Sequence, residues 1–182
     1  SRCGTTTHFV GKIGRDHFGV LAQEDLEMER VTAHFVETDA HLTGSVAVFV
    51  DHTGERSMVS GHGADFYLLP QELPRDAIRT ARHLHLTAWS FFVDPPRTAA
   101  RVAALQARTA GATLSFDPGS FQMIGEMGVR NFLAVTQDLG IDILLPNKEE
   151  GAMLTGGLTD PNEIAPALAE LYPGALIMLK LD

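Results

Sequence analysis

Residues 143–156 read ILLPNKEEGAMLTG, and within this stretch an apolar run passes into a polar cluster at Pro146. The apolar run is typical of a buried strand, and Asn147 is a residue type that caps helices. Glu150 follows three residues later, which is the spacing of a capping box, in which each side chain accepts a hydrogen bond from the other residue's backbone amide. The stretch therefore predicts a strand that ends directly before a helix.

The same alternation of strand and helix patterns extends from Pro70 to the end of the chain. Apolar strands are predicted at residues 83–89, 112–118, 141–146 and 175–181. Helical patterns lie at residues 74–81 and 96–109, in a region through about residue 139, after residue 147 and at residues 162–172. Strands joined by crossover helices pair in parallel, so the predicted fold class is α/β, a mostly parallel sheet flanked by helices.

The first part of the chain has a different pattern. The segment HFVGKIG at residues 8–14 predicts a strand, and Asp16 can cap a helix through about residue 30. Residues 34–65 are rich in β-forming residues, and LTGSVAVFVD, HTGE and RSMVSG read as two antiparallel strands joined by a turn. Both faces of the outgoing strand carry small or apolar side chains, so we expect a small β lid with an exposed apolar face.

Composition limits the class of protein. A net charge of −9 argues against binding nucleic acid through a basic surface, and no long uncharged apolar run or signal-peptide pattern predicts a membrane segment. The single cysteine, Cys3, cannot form an internal disulfide and has no base near it in sequence, which makes it a poor nucleophile. We expect one cytoplasmic domain over residues 1–182.

Candidate site residues follow from the parallel sheet, because ligands bind outside the carboxyl ends of such strands. This rule selects residues 87–90, 117–120 and 147–150. Asp117 either starts a turn with Pro118 or belongs to a site. Asn147 and Glu150 are explained either by capping alone or by a site, since a helix N-terminus also favours phosphate.

Two histidines form a further candidate. His83 and His85 are two residues apart in a predicted strand and therefore share one face. This spacing occurs in metal sites, but no third ligand is near them in sequence. Packing without a metal is the alternative interpretation.

The ordered segments together resemble the ribokinase-like carbohydrate kinases, also called the phosphofructokinase-B family. The similar segments are VGKIGRDHFG, LTGSVAVFVDHTGERSM with the later GAD, LHLTAW, FDPGS, LLPNKEEGAMLTG and ALIMLKLD. The most specific is PNKEEGAMLTG, which is similar to the family's Pro-Asn-x-x-Glu segment and its Leu-x-Gly ending.

The resemblance implies ATP-dependent phosphorylation of a sugar or related alcohol, with ATP and Mg²⁺ as cofactors. It assigns Asn147, Glu150 and Asp117 to the phosphate and magnesium region, with Glu150 acting on the metal through water. It also assigns Val46 and Val48 to lid positions that touch the substrate. Lids of this family often pair between subunits, so a homodimer through the lid is expected.

Two family segments have no counterpart in these residues. SRCGTTT does not match the family's Gly-Gly-x-x-x-Asn sugar-binding segment, and no Gly-x-Gly-Asp pattern occurs. The sequence is therefore interpreted as an inactive internal fragment, with the catalytic aspartate expected beyond Asp182. A non-catalytic sugar- or nucleotide-binding protein, or an interaction remnant, is the alternative. A dinucleotide-dependent oxidoreductase is a weaker one, because no Gly-x-Gly-x-x-Gly segment opens a helix.

Overall fold

The computed structural model describes residues 4–181. The chain divides into two compact units. The first unit comprises the residues up to Pro74 together with Asp94–Ala99, and the second comprises Arg75–Val93 and the residues from Ala100 onward. Cys3 and Asp182, on which two of the expectations fall, lie outside the described residues. The single domain expected from the sequence stays a prediction.

The helices and strands alternate along much of the chain. The strands within residues 4–181 are β1 His8–Gly14, β2 Thr32–Thr38, β3 Ser45–Val50, β4 Arg56–Gly61, β5 His83–Thr87, β6 Thr113–Asp117, β7 Ile143–Leu144 and β8 Leu176–Ile177. The α-helices are α1 His17–Met28, α2 Arg75–Thr80, α3 Pro96–Thr109, α4 Phe121–Met127, α5 Val129–Thr136, α6 Lys148–Leu154 and α7 Pro161–Leu171. None of the described helices is long and apolar enough to cross a membrane.

The second unit contains a parallel sheet with the order β5-β6-β7-β8, which confirms the α/β class. Its core forms because alternate strand residues are apolar: Leu86, Leu114 and Phe116 are buried, and the Phe116 ring packs between Phe91 and Phe132. Side chains from α3 to α7 complete this core. The helices thereby hold the strands in an order that places consecutive strand ends side by side.

The first unit contains a second parallel pair, formed by β1 and β2 over seven residues each. Helix α1 connects these strands, and Asp16 caps it as predicted, since the Asp16 Oδ1 atom accepts a hydrogen bond from the Gly19 amide at 2.9 Å. The Thr43 amide donates to the other carboxylate oxygen at 2.7 Å. These amides lower the pKa of Asp16, with Thr43 making the larger contribution.

The predicted antiparallel hairpin is present as β3 and β4, with partners from the Ser45–Gly61 pair to the Val50–Arg56 pair. Every residue of both strands is exposed, including Val48 and Phe49, so the small antiparallel sheet does carry exposed apolar side chains. The hairpin is shorter than the expected 34–65 region. Residues 34–38 belong to β2, because a strand reached through a crossover helix pairs in parallel with the strand before that helix.

Candidate functional site

Polar side chains meet at the carboxyl ends of three neighbouring strands in the second unit. Asp117 ends β6, Asn147 follows β7, and Lys180 follows β8. A parallel bridge pairs Asn147 with Lys180, and the Lys180 amide donates to the Pro146 carbonyl oxygen at 2.8 Å. The sheet therefore brings together two carboxyl-end groups selected from sequence and one lysine that was not selected.

Asn147 and Glu150 form the capping box that their spacing predicts. The Asn147 side-chain oxygen accepts a hydrogen bond from the Glu150 amide at 2.8 Å. The Glu150 Oε2 atom accepts in return from the Asn147 amide at 2.9 Å. Capping is thus present at the start of α6 and accounts for one oxygen of each side chain, which leaves the second carboxylate oxygen of Glu150 available to other partners.

The environment of Glu150 disfavours its charged form. The side chain is buried, with 2% of the residue exposed, and this burial is the main cause of a raised Glu150 pKa. The negative charges of Asp117 and Glu149 act in the same direction, whereas the Asn147 amide and the Lys180 ammonium oppose it. Because its charged form is disfavoured, the buried Glu150 carboxylate is stabilised by any further cation that comes close to it.

Asp117 makes the turn that its sequence context predicts and also an ion pair. Its Oδ1 atom accepts a hydrogen bond from the Gly119 amide at 3.0 Å, and its Oδ2 atom accepts from the Lys180 ammonium at 2.9 Å. Gly119 has a φ of 79°, a left-handed conformation that glycine adopts without strain. The turn and the ion pair therefore use both oxygens of the Asp117 carboxylate.

Lys180 is the residue that the sequence interpretation missed. It appeared there only as part of the apolar strand at residues 175–181, because a lone lysine near a strand end resembles a solvated side chain. The available signal was its position, since the rule that selected Asn147 applies equally to the end of the last strand. Its side chain is 48% exposed, so the ammonium remains accessible to a ligand.

His83 and His85 share one sheet face as predicted, and their partners are hydroxyl groups of β6. The Ser115 hydroxyl lies 2.7 Å from a His83 ring nitrogen and 2.8 Å from a His85 ring nitrogen. The other His83 nitrogen lies 2.7 Å from the Thr113 hydroxyl. Among residues 4–181 no group of three or more histidine, cysteine, aspartate or glutamate side chains could hold a metal.

The predicted lid residues lie in the other unit. Val46 is 53% exposed and Val48 is 48% exposed, and they pair across the hairpin with Ser60 and Met58. Both side chains are therefore accessible in the first unit, and their contact with a substrate stays a prediction.

The fold and the strand-end site together define a class of protein. A parallel sheet flanked by helices, a small antiparallel sheet and polar groups at the carboxyl ends are the features expected of the ribokinase-like α/β fold. The crystal structure of a protein described as a ribokinase II of Escherichia coli, in complex with ATP and Mg²⁺, has this fold. It is similar to this chain with a TM-score of 0.81 and 22% identity, over 99% of this chain and 58% of the ribokinase II chain.

The sequence comparisons specify the family. The profile of the pfkB family carbohydrate kinases matches residues 1–178, and the chain belongs to this family. A fructokinase of Escherichia coli is 31% identical over 98% of this chain and 59% of its own length. An ATP-dependent ribose-1-phosphate kinase of Halopiger xanaduensis is 35% identical over 80% of this chain and 45% of its own length. The chain spans about half the length of these curated relatives.

Proposed function

We propose that the protein that carries this sequence is an ATP-dependent kinase, which transfers the γ-phosphoryl group of ATP to a hydroxyl of a sugar or related alcohol. Family membership and the names of the two relatives support this reaction class. The observation that carries the proposal is the cluster of Asp117, Asn147, Glu150 and Lys180 at neighbouring strand ends. Phosphoryl transfer depends mainly on positioning and on neutralising phosphate charge, which suits such a cluster.

Lys180 is the phosphate-binding cation of this proposal. Its ammonium has three N–H donors, of which one is directed to Asp117, and its 48% exposed side chain can direct the others to phosphate oxygens. Asn147 lies beside it across the strand bridge, and its side-chain NH₂ group can donate while the oxygen caps the helix. The two residues thus contribute donors from adjacent strand ends.

The donor set fits a Mg²⁺ ion held through water. Mg²⁺ usually keeps several waters and takes one or two carboxylates together with substrate phosphates. Glu150 is the buried carboxylate in the cluster, and the cap uses only its Oε2 atom, so Oε1 can accept from a coordinated water. The ion would neutralise phosphate charge, while Glu150 orients its water and gains a cation that offsets the cost of burial.

The hairpin formed by β3 and β4 carries the residues that are proposed to contact the substrate. Val46 and Val48 are exposed and apolar, and the family resemblance assigns substrate contact to these two residues. The exposed apolar strands also support a homodimer through this lid. The relatives are named for fructose and for ribose-1-phosphate, so we propose a substrate of the sugar class.

The alternative is a protein that binds nucleotide or sugar without turnover. The absence of a Gly-x-Gly-Asp pattern from these 182 residues favours this alternative for the chain assayed by itself. We therefore expect the isolated chain to bind ATP with Mg²⁺ while it releases no ADP in the presence of sugars.

Calorimetric titration of ATP with saturating Mg²⁺, combined with coupled ADP release over a panel of ketoses, aldoses and nucleosides, tests both proposals. ATP binding that weakens about tenfold in Lys180→Met supports the phosphate site. Absence of ATP binding contradicts the kinase proposal. Sugar-dependent ADP release at an ordinary enzymatic rate contradicts the expectation for the isolated chain.

A further inference from the structure

The two oxygens of the Asp117 carboxylate are both used within the chain, one by the Gly119 amide and one by the Lys180 ammonium. We infer that Asp117 is a positioning residue, which holds the Lys180 ammonium at the phosphate-binding cluster. This inference rests on the proposed function and changes the role that the family resemblance gave to Asp117.

Hydrogen bonds to the backbone fix both Asp117 and the main chain of Lys180. Asp117 is held by the turn that it forms with Gly119, at an amide-to-carboxylate distance of 3.0 Å. The Lys180 backbone is held by the hydrogen bond that its amide donates to the Pro146 carbonyl oxygen and by the bridge to Asn147. Only the flexible lysine side chain then remains to be placed, and the 2.9 Å contact with Asp117 places it. A lysine side chain without such a partner loses rotamer freedom when it binds a ligand.

The exposed fractions of the two side chains agree with a positioning role for Asp117 and a phosphate-binding role for Lys180. The Asp117 side chain is 27% exposed, and the Lys180 side chain is 48% exposed. The carboxylate is thus the more enclosed partner, which the Gly119 amide holds in place, and the ammonium is the more open one. After its bond to Asp117 the ammonium keeps two N–H donors for phosphate oxygens.

The Asp117→Asn substitution should have opposite effects on ATP affinity, depending on whether Asp117 positions Lys180 or acts only through its negative charge. Removal of a negative charge close to a phosphate site should tighten ATP binding if charge alone matters. Loss of the anchor should weaken ATP binding, because Lys180 must then be ordered by the nucleotide. Asparagine keeps the side-chain oxygen that accepts from Gly119 and is a favoured turn residue, so the turn should persist.

The experiment is calorimetric titration of ATP at saturating Mg²⁺ into the 182-residue chain and its variants. We expect Lys180→Met to weaken ATP binding about tenfold, as for loss of a hydrogen bond to a charged group. We expect Asp117→Asn to weaken it about threefold through lost preorganisation. In the Lys180→Met background, Asp117→Asn should produce no weakening, because its effect acts through Lys180.

Asp138→Asn is the matched control, because it makes the same charge change in another ion pair of the second unit, between Asp138 and Arg101 at 2.8 Å. It should leave ATP affinity unchanged or slightly tighter. If Lys180→Met weakens binding while Asp117→Asn binds ATP as well as wild type or better, the positioning role is overturned and the kinase proposal stands. If the wild-type chain does not bind ATP, both are overturned.

Discussion

Glu150→Gln separates the capping role of this residue from a role at the magnesium ion. The glutamine side-chain oxygen can accept from the Asn147 amide as Glu150 Oε2 does at 2.9 Å, so the capping box should persist. The substitution removes the charge whose burial raises the Glu150 pKa. Glu150→Gln should therefore preserve helix capping and remove the negative charge that would act on the magnesium ion.

The expected change in stability is small, because two effects oppose each other. A hydrogen bond to a neutral acceptor contributes about 1 kcal/mol less than one to a charged acceptor. Burial of a neutral amide in place of a carboxylate removes a desolvation cost, and the raised Glu150 pKa shows that this cost exceeds the stabilisation by the Asn147 amide. We expect Glu150→Gln to be as stable as wild type or more stable at pH 7, with a melting temperature within about 4 °C.

The pH dependence has a definite sign. A carboxyl group with a raised folded-state pKa contributes stability that is present below its unfolded pKa, near 4.5, and that is lost as the pH rises through the folded-state value. The wild-type chain should therefore lose stability relative to Glu150→Gln as the pH rises from about 4.5 through the raised folded-state pKa. Circular-dichroism melts of both proteins across this range measure the difference.

The magnesium requirement provides the second readout. Removal of an outer-shell partner weakens metal binding about tenfold, so half-saturating Mg²⁺ for ATP binding should rise by about that factor in Glu150→Gln. Glu149→Gln is the control, since it makes the same charge change at the neighbouring exposed position of α6. If the two variants show the same magnesium requirement, Glu150 only caps the helix, and its assignment to the metal should be withdrawn.

Three further predictions concern the cap, the first unit and the lid. Asn147→Ala should lower stability by about 1 kcal/mol and also weaken ATP binding, whereas Asn147→Ser should keep the melting temperature because serine also caps helices. Amides of Thr43 and Gly19 lower the pKa of Asp16, so its stabilising effect is present above pH 3.8 and is lost as the pH falls through the folded-state value. The difference in melting temperature between wild type and Asp16→Ala at pH 6 should therefore shrink as the pH falls below 3.8 towards the folded-state pKa of Asp16. Phe49→Lys should reduce concentration-dependent association in sedimentation velocity, and an unchanged association constant would argue against pairing through the hairpin.

Local sequence was sufficient to predict several elements. The junction at Asn147 depends on hydrogen bonds that span four residues, from Asn147 to Glu150, so its spacing is visible in the chain itself. The same is true of the Asp16 cap and of the hairpin turn. The alternation of strands and helices was also sufficient to predict parallel pairing in the second unit, because a crossover helix imposes that direction.

Sequence by itself determined the order and type of most elements and the parallel direction of the strands in the second unit, and it placed Asn147, Glu150 and Asp117 near strand ends. Only the tertiary structure decided which side chains meet. The Asp117 ion pair joins residues 63 positions apart, and the hydroxyl between His83 and His85 comes from another strand. The pairing of β2 with β1 likewise lies outside the hairpin predicted for that region. These contacts depend on strand order and register, which are set by the packing of the whole core and leave no local pattern in the chain.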